Sequence, residues 1–210
     1  MKKKNTSTII ATIAIIAFVV GGFYLMSRGS SGSQPNAVNT DPMHGGGTTA
    51  SAGSYSDLIG KPIPSFSLRD RNGTEYSSES LKGKNVVLFF NEGIMCYPAC
   101  WNQMVSLATD PRFASSDTVA LSVVIDEPQS WQSAVQKMPE LGKATVLFDA
   151  NKSVSRAFGM LTVPSSMHYG SFPGHSFVLI DKQGIVRYTF DDPNMAIDND
   201  KVAAELAKLN

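Results

Sequence analysis

The chain has 210 residues, 42% of them apolar and 17% charged, with 18 basic and 18 acidic side chains. That is enough for one domain of ordinary size, and it excludes a disordered chain and a polytopic membrane protein. The balanced charge excludes a nucleic-acid binder of the basic-patch kind. Two cysteines exclude a multi-bridge scaffold and a four-cysteine zinc site. His44, His168 and His175 limit any metal site to a small one. Residues 57–210 alone carry 14 basic and 17 acidic groups, a mildly acidic balance that points to no partner.

Residues 1–8 contain Lys2, Lys3 and Lys4, and residues 9–26 (IIATIAIIAFVVGGFYLM) carry no charge. As a helix this run rises roughly 27 Å, about the thickness of a bilayer core. Lysines ahead of it favour a cytoplasmic N-terminus. A cleaved signal peptide is the competing reading, but its apolar core is usually shorter and a small-residue cleavage site does not follow directly. The expectation is a single-pass anchor in the cell membrane, with everything downstream on the extracytoplasmic side. Residues 27–56 are rich in Gly, Ser, Thr and Asn with no apolar period, which predicts a flexible tether reaching roughly 30 Å. His44 lies in it beside three glycines.

The globular domain is expected over 57–210. Two short strand-like pieces flank Asn72-Gly73, a hairpin signal. NVVLFFN (85–91) and TVALSVVID (118–126) read as strands buried on both faces. Helical patterns follow at 99–108 and at 128–138, the second opening on Pro128. ATVLFD (144–149) is a third strand and KSVSRAFG (152–159) a short helix stopped by Gly159. HSFVLID (175–181) and IVRYTF (185–190) form a closing strand–turn–strand, and 201–209 a final amphipathic helix. Strands alternating with helices predict an α/β sandwich around a central mixed sheet. No phosphate-cradling glycine motif is present, since Gly45–Gly47 lie in the tether.

Cys96 and Cys100 sit in NEGIMCYPACWNQM, where a strand ends and a helix begins. Four apart on a helix, they share a face with Cα atoms about 6 Å apart, within disulfide range. Cys96 falls at or just before the helix N-terminus, where the dipole stabilises a thiolate, and Pro98 suits the first turn. An attackable thiolate with a second thiol in reach is what reversible disulfide chemistry requires. A plain stabilising bridge is the alternative, although so short a loop removes little unfolded-chain entropy.

These motifs, together with GKPIPSFSLRDRNG near the start and GHSFVLIDKQGIVRY near the end, make residues 57–190 resemble the thioredoxin-fold redoxins. The branch is that of alkyl hydroperoxide reductase-like peroxiredoxins, membrane-tethered thiol–disulfide proteins and Sco copper-delivery proteins. The resemblance implies a thioredoxin-like fold with an N-terminal hairpin and a redox pair, Cys96 attacking and Cys100 resolving. It also has departures. Peroxiredoxins place a Pro seven and a Thr or Ser three before the peroxide-reacting cysteine; here Phe89 and Gly93 stand there. Thioredoxins carry Cys-x-x-Cys, whereas this chain has Cys-x-x-x-Cys, and the usual cis-proline position falls near Gly174 beside Pro173. The Cys-x-x-x-Cys plus distal His pattern is similar to that of Sco proteins, which implies an alternative copper set of Cys96, Cys100 and His175. Two thiolates and an imidazole suit Cu(I).

The leading expectation is a membrane-anchored redox protein without a cofactor. Its partners would be thiol or disulfide proteins, or peroxide. Supporting candidates are His175, Glu92 as a proton acceptor between strand and cysteine, and Trp101 as a packing residue after Cys100. His168 and Met167 read as a loop before the last strands, Arg187 as an electropositive candidate, and Asp126-Glu127 as a helix-start signal.

Overall fold

The computed structural model describes residues 54–209; the expected anchor and most of the expected tether lie outside them. Among the described residues no helix is long and apolar enough to cross a membrane.

The N-terminal hairpin pairs β1 (Ser67–Arg69) with β2 (Glu75–Ser77) antiparallel. Its turn is closed by Asp70, whose Oδ1 accepts from the Asn72 and Thr74 amides at 2.8 and 2.9 Å. Gly73 takes the positive φ of 81° that the turn needs.

The central sheet has the order β5-β4-β3-β6-β7, built from β3 (Asn85–Phe90), β4 (Thr118–Val124), β5 (Val146–Phe148), β6 (Ser176–Ile180) and β7 (Val186–Asp191). β3 pairs parallel with β4 and antiparallel with β6, and β7 is antiparallel to β6. This is the mixed sheet the alternation of elements predicts. β3 lies at its centre and is buried at every residue, which explains its unbroken apolar run. Val87 and Phe89 face one core with Trp101, Met104 and Leu107. Val86, Leu88 and Phe90 face the other with Leu81, Val154 and Phe158. α1 (Ala99–Thr109), α2 (Trp131–Lys137), α3 (Ser153–Ala157) and α4 (Asn199–Leu206) complete the layers.

Several elements are shorter than expected because turns take their ends. Pro128–Ser130 forms a 3-10 turn ahead of α2, and Pro139–Lys143 forms another before β5. Lys152 adopts a left-handed conformation, so α3 starts one residue later. α4 starts earlier, at Asn199. The cis peptide among the described residues is Tyr97–Pro98; Pro173 is not cis.

Candidate active site around the Cys96–Cys100 disulfide

β3 delivers the chain to the carboxyl end of the sheet, where Asn91 and Glu92 are buried in spite of their polarity. Asn91 Oδ1 accepts from the Gly93 amide at 2.9 Å and turns the chain. Gly93 has φ 62°, and a Cβ there would lie 1.7 Å from Asp126 Oδ2. No larger residue fits. Asp126 Oδ2 accepts from the Ile94 amide at 3.0 Å, and the Trp101 indole donates to the Gly93 carbonyl at 3.0 Å. The short helical turn Gly93–Met95 then hands over to α1, whose N-terminal cap is Pro98 rather than a first-turn proline.

Cys96 and Cys100 flank this handover and are joined as a disulfide, with Cα atoms 5.3 Å apart. The sulfurs are buried, at 3% and 1% exposure, yet Met95 and Tyr97 beside Cys96 are 57% and 48% exposed. The bridge therefore lies one residue beneath the surface. Lys137 on α2 sets its ammonium 3.6 Å above the Tyr97 ring.

His175 precedes β6 and reaches the bridge from the strand next to β3. Its Nδ1 lies 3.6 Å from Cys100 Sγ, and its ring packs 4.7 Å from Phe89 and 5.7 Å from Phe177, centre to centre. Burial pushes its pKa down to about 4, although Asp192 opposes the shift, so the imidazole is neutral at neutral pH. Behind it stand Asp192 and Asp198, with ligand-type atoms of all three within 4.8 Å of one another. Asp192 accepts from the Asn194 and Ala196 amides at 3.0 and 2.7 Å. The Asp198 carboxyl is pushed up to about 6 by burial and by the Asp192 charge. Asp126 is likewise raised to about 6 by burial, against the pull of its Ile94 bond.

The supporting candidates take different places. Glu92 is no exposed loop acid: Oε1 accepts from the Met167 and His168 amides at 2.7 and 3.2 Å, and Oε2 meets His168 Nδ1 at 3.1 Å. It ties the 165–175 loop to the cysteine turn, and its oxygens are spent on that. Trp101 braces Gly93. Arg187 is not at the site, because its Nε binds Asp181 at 2.5 Å. The sulfur atoms and His175 do converge within 4.8 Å, as a copper set would need. Both sulfurs, however, are spent in the bridge.

Three residues at the site escaped the sequence. Asp126 resembles a helix start, and only its place at the carboxyl end of a parallel strand signals a site. Asp192 and Met195 come from a loop after β7 that carries no motif. The Met195 Sδ lies 3.9 Å from Cys96 Sγ.

The family model described as Redoxin matches residues 58–206. The chain belongs to the Redoxin family. Redoxins of the peroxiredoxin type work through cysteine redox chemistry without a cofactor. Among curated relatives, peroxiredoxin Q of Populus jackii is 26% identical over 136 residues, 63% of this chain and 60% of its own length. The wheat peroxiredoxin Q (Triticum aestivum) is 27% identical over 136 residues, 63% of this chain and 58% of its own length. The chain thus spans about three fifths of the curated relatives it matches. Among solved structures, peroxidoxin BcpB of Mycobacterium tuberculosis superposes with TM-score 0.59 at 22% identity, covering 73% of this chain and 98% of that one. The mitochondrial 2-Cys peroxiredoxin of Plasmodium falciparum gives TM-score 0.60 at 21% identity, covering 72% and 93%. These place the redoxin domain on a thioredoxin-like α/β fold.

Proposed function

We propose that this redoxin is a thiol–disulfide oxidoreductase, anchored through residues 9–26, acting on thiols and disulfides of exported proteins. One observation carries the chemistry: a five-residue disulfide ring at the carboxyl end of β3, one residue below the surface, with a neutral imidazole against one of its sulfurs. A substrate thiolate attacks Cys96 Sγ; the S–S bond breaks and its electron pair leaves on Cys100 Sγ. In its Nδ1–H tautomer His175 offers a hydrogen bond to that departing thiolate. A second substrate thiolate then displaces Cys96, leaving an oxidised substrate and a reduced protein. The reverse sequence reduces a substrate disulfide. Both sulfurs lie at the N-terminal end of α1, where the helix dipole favours a thiolate on the reduced side.

Peroxide is the second substrate class, favoured by the peroxiredoxin Q relatives. The position that would supply the peroxide-binding hydroxyl is Gly93, and the Asp126 contact leaves no room for any side chain there. Peroxide turnover is therefore expected to be slow beside disulfide exchange.

The test is trapping. Cys100→Ser should accumulate mixed disulfides through Cys96, and Cys96→Ser far fewer. Equal trapping by both variants removes the assigned roles. The anchor is tested in the same cells, by asking whether the full chain stays with membranes after alkaline washing and is cut by external protease.

A further inference from the structure

The buried bridge poses an access problem. Disulfide exchange needs a nucleophile to approach one sulfur along the S–S axis. On the Cys100 side stand His175 and the body of α1. On the Cys96 side stands Met195, whose thioether sulfur is 3.9 Å from Cys96 Sγ. Met195 is held there in an unusual way. Its φ is 52°, in the left-handed region that unbranched non-glycine residues rarely occupy. Asp192 fixes that conformation: its carbonyl accepts from the Met195 amide at 3.1 Å, and its carboxylate accepts from the Asn194 and Ala196 amides on either side. Met195 is half-buried while Asn194, Ala196 and Ile197 around it are exposed, Ile197 at 58%. A side chain turned inward from an exposed loop, in a conformation its own backbone disfavours, is a strained feature at a functional place.

We infer that Met195 is a selective cover over Cys96: its thioether shields the disulfide from small thiols and is displaced when a protein substrate docks against the exposed Met95 and Tyr97. A small dithiol brings no surface with which to move the 192–197 loop, so it must wait for the cover to open. A protein substrate contacts the rim and moves the cover as it binds. Met195 is thus a specificity-determining residue for the exchange reaction, and this rests on the thiol–disulfide function proposed above. Met suits the part, being flexible and able to lie against sulfur without a directional bond.

The experiment uses the oxidised full chain and two variants. Met195→Gly removes the cover and also relieves the positive φ, so the loop is expected to be no less stable. Met195→Leu keeps the bulk. Reduction is followed with dithiothreitol and, separately, with a thioredoxin as protein dithiol. In each case a reductant thiolate opens the bridge at Cys96, the second reductant thiolate resolves the mixed disulfide, and the two thiol protons end on Cys96 and Cys100. Met195→Gly should react with dithiothreitol roughly tenfold faster than wild type, while its rate with thioredoxin changes by less than about threefold. Met195→Leu should stay near wild type with both. Unchanged dithiothreitol rates in Met195→Gly overturn the inference, and so does equal acceleration with both reductants. A melting temperature for Met195→Gly well below wild type, with faster dithiothreitol reduction, also overturns it, since loop opening would then explain the rate. If the dithiothreitol pattern holds but thioredoxin reduces none of the forms, the selectivity for protein substrates and with it the inference falls, whereas the proposed function falls separately if Cys100→Ser traps no mixed disulfides.

Discussion

The two ends of β6 are built on different terms. At the far end Asp181 is buried, and every oxygen has work: Oδ1 accepts from the Gln183 and Ile185 amides at 2.9 Å each, and Oδ2 binds Arg187. Burial alone would raise its carboxyl, but the bonds from Ile185, Arg187 and Gln183 outweigh that and hold it below the ordinary value. At the near end burial is not offset in this way: it pushes His175 down to about 4 and holds Asp198 and Asp126 up at about 6. A closed hydrogen-bonded turn stabilises the fold. A cluster of buried titratable groups held against ionisation beside a disulfide is tolerated at a cost, and that cost marks it as the candidate working end.

The largest effect expected from breaking this contrast is at the closed end. Asp181→Ala leaves two turn amides and an arginine without their acceptor, and should destabilise by about 2–3 kcal/mol in denaturant titration while leaving the disulfide potential unchanged. A shift in that potential would show that the two ends are not separate. Next is Asp126→Asn, at the disulfide end. The native carboxyl titrates at about 6, above its usual 3.8, so the folded state keeps a proton that the unfolded state has lost in between. Stability from this group is full below about pH 4 and is lost as pH rises through 6. Asparagine can still accept from Ile94 and never ionises. Asp126→Asn should therefore stabilise by about 1–2 kcal/mol at pH 7.5, and the gain should vanish near pH 4 when thermal unfolding is measured at both. A constant gain at both pH values would mean that the carboxylate charge is not what costs. The smallest effect is at Arg187→Ala. That side chain is half-exposed, so its pair with Asp181 contributes under about 1 kcal/mol, seen as a small shift in the denaturant midpoint.

What the sequence could carry follows the same division. β3 and β4 were legible because a strand buried on both faces must be apolar throughout, and the hairpin because Asn72-Gly73 writes its turn locally. The cysteine pair and His175 were legible as residue types, and the sheet order then sets them side by side. Glu92 was not legible: its burial depends on amides 75 residues away in the 165–175 loop. Asp126 looks like a helix start until β3 brings Gly93 against it. Met195 is 99 residues from the sulfur it touches, and only folding establishes that contact. Arg187 illustrates the opposite case, a cation satisfied locally by Asp181 across the turn between β6 and β7.

The bracing of Gly93 by Trp101 has an optical consequence. The indole of the residue after Cys100 is fixed by its bond to the Gly93 carbonyl, and a disulfide quenches a nearby indole more than two thiols do. The other tryptophan, Trp131, lies on α2 against Phe148 and serves as a steady background. Trp101 emission is therefore expected to rise when the bridge is reduced, and unchanged emission would show the indole out of reach of the sulfurs. The redox state of the pair would then be readable in unlabelled protein.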